Sequence, residues 1–320
     1  MFLSVKNIQN KLTINFLFFF IFLNYTIFFF YKEKTFFLYF GIVIVLNFFI
    51  ILFKNFKNNK VLISIFIIFC FISLSSPVSD WDGRSIWLFN AKIIFFENNL
   101  NNYFLYSPYN SHPDYPIFVP VLSATLSSMI EGWNEIFPKF SHIILALPPI
   151  IILSSNFNKK TSLIIFLVLI LFIFEKRLIN GEVDVLLSLY SVSLIKILSE
   201  VVTLDKKTPN YYFDIMLIFF HIVFLTMIKI EGLALASCIL VAFLLVYSKS
   251  NFEFTKKLIF IFTLSLIPIL IWIIYSKNYV DISSAQKMID GGERFFKNLF
   301  DFKFILHLIG KIMTNKQMMI

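Results

Sequence analysis

Of the chain's 320 residues 58% are hydrophobic, more than the roughly 45–50% of a soluble domain, and they fall in runs such as FLFFFIFL that lack the period-two alternation of a β-barrel. The net charge of +9 resides in lysines clustered at the ends of apolar runs, which is the positive-inside pattern and excludes nucleic acid as a partner. Cys70 and Cys238 both lie inside apolar runs, so the sequence suggests neither a disulfide framework nor a thiolate metal site.

The chain therefore reads as an all-α polytopic membrane protein of about nine transmembrane helices. The candidate spans are 14–31, 36–53, 61–76, 139–155, 161–174, 185–200, 212–228, 232–248 and 258–275. The first lacks an A-x-A-like cleavage site and is expected to stay as an anchor. Several are shorter than an average span of ~20 residues, so tilt or local thinning of the bilayer is expected. Lysines set the orientation. The connectors 54–60, 156–160, 204–207 and 249–257 hold three, two, two and three of them, and with Lys6 and Lys11 they are assigned to the cytoplasm. Alternation then places 77–138, 175–184, 229–231 and the tail from about 277 outside, against the grain of Lys32, Lys34, Lys176 and Arg177.

Only one crossing fits between an external 77–115 and an internal 156–160. The apolar piece 117–130, ending in Glu131-Gly132-Trp133, is read as an interfacial or re-entrant helix, and 142–153 as the span. Four regions result: N-terminal transmembrane helices (1–76), an external loop with interfacial or re-entrant helices (77–138), a transmembrane bundle (139–276) and an external amphipathic tail (277–320).

The longest polar interruption, 79–116, carries Asp80, Asp82 and Arg84. Ser79 ahead of Asp82 predicts a helix opened by Asp82 and running to about Phe96. On it Ile86, Phe89, Ile93 and Phe96 form an apolar stripe, while Arg84, Leu88 and Lys92 share another face. The acids are either helix caps and solvated charge, or a carboxylate base beside cations that hold an anionic leaving group. His112-Pro113-Asp114-Tyr115-Pro116 is stiffened by its prolines, and its two potential ligands are too few to assign a metal. Glu182 and Asp184 sit in a charged turn between spans. Lys229 and Glu231 interrupt about 34 apolar residues, either as a hairpin turn with a snorkelling ion pair or as a phosphate site.

Taken together, these stretches resemble the GT-C superfamily of polytopic glycosyltransferases, most of all its bacterial dolichyl-phosphate-mannose protein mannosyltransferase-like branch. WDGRSIWLFNAK (81–92) is similar to the family's Trp-Asp, Trp, Lys-Ala-Lys pattern, and HPDYPIFVPVL (112–122) to its His-Pro-Asp-Tyr-Pro helix entry. NGEVDVLLSLY (180–190) and MIKIEGLAL (227–235) are similar to its Gly-Tyr-Ala-Asp and Thr-Lys-Asn-Glu-Gly elements. Departures are Asn90 where a lysine is common and Glu182-Val183 in place of Tyr-Ala. The chain also stops at Ile320, where such enzymes usually continue through further spans, so a reduced or truncated form is expected.

The resemblance implies inverting sugar transfer from a polyprenyl-phosphate-linked donor to a glycan, lipid or protein acceptor, at the external face of a bacterial inner membrane; no cofactor is assigned, and a need for a divalent metal is left open. It assigns the general base to Asp82, with Asp80 second, and the donor phosphate to Lys229 with Arg84 and Lys92. Glu182 and Asp184 fall on the acceptor side, with His112, Asp114, Tyr115 and Glu231 as further substrate contacts. The rival expectations are a transporter or flippase for a lipid-linked glycan, and an inactive, truncated membrane subunit.

Overall fold

The structure, a computed structural model of the chain, describes residues 2–30, 34–97, 103, 112–130, 132–155, 160–168, 176–202, 209–247 and 252–277. Regular structure among the described residues is all helical. In chain order the helices are α1 (Phe2–Phe30), α2 (Lys34–Asn58), α3 (Lys60–Ser75), a π-helical turn (Gly83–Trp87) running into α4 (Leu88–Glu97), α5 (Phe118–Ser127), α6 (Phe140–Ser154) and α7 (Lys160–Val168). There follow α8 (Lys176–Ile179), α9 (Asp184–Val202), α10 (Pro209–Ile228), α11 (Glu231–Tyr247), α12 (Phe252–Ser265) and α13 (Ile267–Lys277).

Among the described residues, five segments are long and apolar enough to cross a membrane: Asn10–Phe29, Thr35–Phe56, Asp184–Val202, Tyr211–Ile228 and Glu253–Lys277. They match five of the nine expected spans. The expected spans 61–76, 139–155 and 232–248 fall on the shorter apolar helices α3, α6 and α11, and 161–174 runs from α7 out of the described residues. Length is the reason. The 16 residues of α3 rise only about 24 Å, less than the ~30 Å of a hydrocarbon core. The tail from 278 on, with its expected amphipathic stretch, lies outside the described residues.

The bundle is apolar inside and out, as a protein solvated by lipid must be. Phe53, Phe71, Leu245 and Ile274 stand fully out from α2, α3, α11 and α13. Inside, Phe18 of α1 packs on Phe224 and His221 of α10 with ring centroids 4.7 and 5.4 Å away, and on Tyr190 of α9 at 6.0 Å. α6 runs through this core despite Pro148 and Pro149. Pro149 has no N–H for the Leu145 carbonyl four residues back, and the Tyr190 hydroxyl supplies the missing donor at 3.0 Å.

All ten residues of α5 are buried, with Thr125 and Asn24 of α1 hydrogen-bonded to each other. A helix lying at the membrane surface would keep one face out, so the interfacial alternative for this segment is set aside.

Candidate functional site

The connections gather polar residues at one end of the bundle, and the sharpest contact there is between two distant loops. Asn180, in the turn before α9, donates from Nδ2 to Asp80 Oδ2. Gly83 lies so close to this turn that a Cβ on it would stand 2.4 Å from the Asn180 carbonyl oxygen. The helix after it opens at Trp81, one residue earlier than expected, with the Arg84 N–H bonded to the Asp80 carbonyl at 3.1 Å. It reaches Glu97 as expected, but Leu88 N–H bonds to Gly83 O, five residues back, and this wide turn shifts the phase of the rest of the helix. Ile86 and Ile93 of the expected stripe are buried, whereas Phe96 is 55% exposed, and Trp87, Ala91 and Ile94 carry the burial instead.

Opposite this segment, Lys229 bridges the carboxylates. Its Nζ is 2.9 Å from Asp184 Oδ1 and 3.7 Å from Glu231 Oε1. Asp184 is there because it opens α9, and Lys229 and Glu231 because only two residues separate α10 from α11, with Gly232 N–H bonded back to Lys229 O at 2.9 Å. The Tyr115 hydroxyl donates to Glu231 Oε1 at 2.9 Å. Tyr115 is the middle ring of a stack, 4.5 Å from His112 and 5.9 Å from Trp87, with Lys229 Nζ 5.8 Å from its centroid. Trp272 of α13 pins the same loop through Nε1 to the Asp114 carbonyl at 2.8 Å, and Asp114 itself is buried.

The electrostatics tie Asp82 to this group. Burial raises the Tyr115 phenol above its ordinary value, and the charges of Glu231, Asp114 and Asp82 add to the shift. Burial alone would lower Lys229, but its bond to Asp184 and the charges of Asp184, Glu231 and Asp82 win, and its value rises. Asp82 is half-buried and its carboxylate accepts no hydrogen bond among the described residues. Glu182 is half-buried in the turn before α9.

The expected phosphate clamp is divided. Arg84, Leu88 and Lys92 do share a face, and it lines a cavity of about 740 Å³ that Lys229 does not border. The third cation of this cavity is Lys139, a residue outside every motif of the sequence. It is 2% exposed and donates to the carbonyls of Ser73 (2.5 Å) and Ser76, capping the C-terminus of α3. Burial lowers its pKa from the ordinary lysine value. Glu135 also lines the cavity. Leu74 and Ile136 also line a second pocket of about 360 Å³, apolar throughout, between α2, α3 and α6. No spacing rule joins Lys139 to Arg84, so the sequence carries no signal that would pair them.

A further polar cavity of about 430 Å³ lies at the other end of the bundle. There Lys11 pairs with the wholly buried Asp214 at 2.7 Å, and Lys196 donates to Ile152 O at 2.7 Å and lies 3.5 Å from Glu200. No cluster of metal-ligating side chains is present among the described residues.

Compared with protein-family models, with curated proteins and with solved structures, the chain matches none. Fold and site together define, over the described residues, an all-helical bundle with helices long and apolar enough to span a membrane and a polar site at one end.

Proposed function

We propose that the chain is a GT-C-like membrane glycosyltransferase, transferring a sugar from a polyprenyl-phosphate-linked donor at the external face of a bacterial inner membrane. One observation carries the reading: an apolar groove shares Leu74 and Ile136 with a cavity lined by Arg84, Lys92 and Lys139, and Arg84 stands two residues from Asp82. Such a pair of compartments suits a molecule with a long hydrocarbon tail and a phosphate head. Residues two apart on a helix point about 200° apart, with Cα atoms about 5.4 Å from each other. Arg84 therefore faces the cavity while Asp82 faces the Lys229, Glu231 and Tyr115 group, and the first turn of the helix stands between donor and acceptor sides.

In the proposed reaction Asp82 takes the proton of an acceptor hydroxyl, whose oxygen attacks the anomeric carbon. The bond from that carbon to the phosphate oxygen breaks, the configuration inverts, and the lipid phosphate leaves with its charge held by Arg84 and Lys92. Lys229, already neutralised by Asp184, orders the acceptor side instead of holding the donor. The acceptor is a glycan, a lipid or a protein of the cell envelope.

The second reading, transport of a lipid-linked glycan, gains support from the polar cavity at the opposite end. Against it stands the layer of Phe18, Tyr190, Phe220 and Phe224, which by position along α1, α9 and α10 separates the two ends.

The test is glycan and lipid analysis of a deletion strain complemented with wild type, Asp82→Asn or Arg84→Ala/Lys92→Ala. Asp82→Asn is expected to insert normally and transfer nothing. The double cation variant is expected to lose co-purifying polyprenyl-phosphate lipid. Wild-type glycan from Asp82→Asn overturns the assignment.

A further inference from the structure

We propose that Asn180 and Gly83 form a seat that positions the base, and that Asp80 is a positioning residue held in that seat. The role of Asp82 as base rests on the reading above; the seat itself does not.

The two acids of 79–83 are one residue apart and differ in what they touch. The Asp80 carboxylate accepts the Asn180 amide, and its backbone carbonyl accepts the Arg84 N–H. One carboxylate oxygen and the carbonyl are thus held by its own protein. The Asp82 carboxylate accepts no hydrogen bond among the described residues, while its charge acts on Lys229 and Tyr115. A base needs a lone pair open to the proton it removes. Asp80 has Oδ2 committed to Asn180, whereas neither Asp82 oxygen is taken by a protein donor among the described residues.

The seat is built from both sides. At Gly83 a Cβ would meet the Asn180 carbonyl oxygen at 2.4 Å and Val78 Cγ1 at 3.0 Å, so the strand of chain lies flat on the turn only because residue 83 has no side chain. Gly181 has φ of +86°, a conformation that costs other residues, and this lets the turn present the Asn180 carbonyl and amide together. Three residues after Gly181 the same turn delivers Asp184, which holds Lys229 at 2.9 Å. One short turn thus fixes the Asp80–Asp82 segment and the Lys229 group relative to each other.

The reciprocal exchange separates this role from chemistry. Asn180→Asp sets two carboxylates against each other, and transfer in membranes is expected to fall about 10²-fold in kcat, with KM for the lipid donor little changed. Asp80→Asn keeps an acceptor oxygen for Asn180 and is expected to stay within about fivefold of wild type, the worth of one charge-assisted bond made neutral. The swapped chain, Asp80→Asn with Asn180→Asp, restores the pair with donor and acceptor exchanged and is expected to recover most of what Asn180→Asp loses. A swapped chain as inactive as Asn180→Asp, or an inactive Asp80→Asn, overturns the proposal and makes Asp80 a chemical participant. A measurement independent of activity accompanies these: Asp80→Cys with Asn180→Cys is expected to give an 80–180 disulfide on mild oxidation, read by peptide mass. Its absence overturns the seat whatever the enzyme does. A chain that forms the bridge yet shows full transfer with Asp82→Asn keeps the seat and refutes only the assigned base.

Discussion

Gly232→Ala reverses the usual sign of a helix substitution, and the geometry says by how much. Alanine in a helix is normally worth about 1 kcal/mol over glycine. At Gly232, in the first turn of α11, a Cβ would stand 1.7 Å from the Leu225 carbonyl oxygen, 2.6 Å from its carbon and 3.1 Å from Leu187 Cδ2. Reaching even the 3.0 Å limit of real Cβ contacts requires 3.0 − 1.7 = 1.3 Å of movement, and the obstacle is backbone, which no rotamer relieves. Overpacking costs about 1–3 kcal/mol, and a backbone clash belongs at the top of that range, so the net loss is about 2 kcal/mol. That corresponds to roughly 5 °C in the apparent melting midpoint, measured by heating the detergent-purified protein and following the folded fraction by chromatography. Gly41→Ala is the matched control. Its Cβ would meet Met129 Cγ at 2.9 Å and Sδ at 3.0 Å, a flexible thioether that can retreat, and Thr125 O at 3.2 Å. The two penalties should then differ clearly, with Gly41→Ala near neutral. A Gly232→Ala protein that melts at or above the wild type would refute the close approach of α10 to α11, and with it the placement of Lys229 and Glu231.

Two further expectations concern the same group. Lys229→Met leaves Asp184 and Glu231 without their shared cation; because Asp184 is 35% exposed, solvent limits the loss to roughly 1–2 kcal/mol, and a midpoint equal to wild type would count against the bridge. Tyr115→Phe keeps the ring stack and removes the bond to Glu231. Because the folded phenol titrates above its ordinary 10.0, its contribution is fully present below pH 10 and fades as pH rises beyond it. The stability gap between wild type and Tyr115→Phe should therefore be constant from pH 7 to 9 and shrink above pH 10 in melting curves; a gap that widens there would contradict the assignment.

Hydropathy makes the helices legible because each apolar run needs only its own residues to be recognised. Helix length is less legible for the same reason. The run at 61–76 is as greasy as any, but α3 stops at Ser75, where Lys139 from a distant segment takes its last carbonyls. Lysine topology brings Asp80, Asp82, Asp184, Lys229 and Glu231 to one face, and these do converge at one end of the bundle, with Lys11 and Lys196 at the other. Topology counts crossings, however, and carries no information on lateral neighbours. That is why the sequence groups Lys229 with Arg84 and Lys92, whereas the fold hands it to Asp184 and gives the cavity Lys139 instead.

The π-helical turn shows how much rests on one residue. A uniform α-helix from Asp82 would bury Phe89 and Phe96 with Ile86 and Ile93. The extra residue between Gly83 and Leu88 advances the later face, so Trp87 turns inward to meet Tyr115 at 5.9 Å, while Arg84, Leu88 and Lys92 still point into one cavity. That turn begins at Gly83, the residue the Asn180 carbonyl approaches too closely for any side chain. The contact that seats the acid loop and the irregularity that aims the cations thus start at the same glycine. A larger residue at 83 should therefore disturb the base and the phosphate cavity together, which no pairwise reading of the sequence would connect.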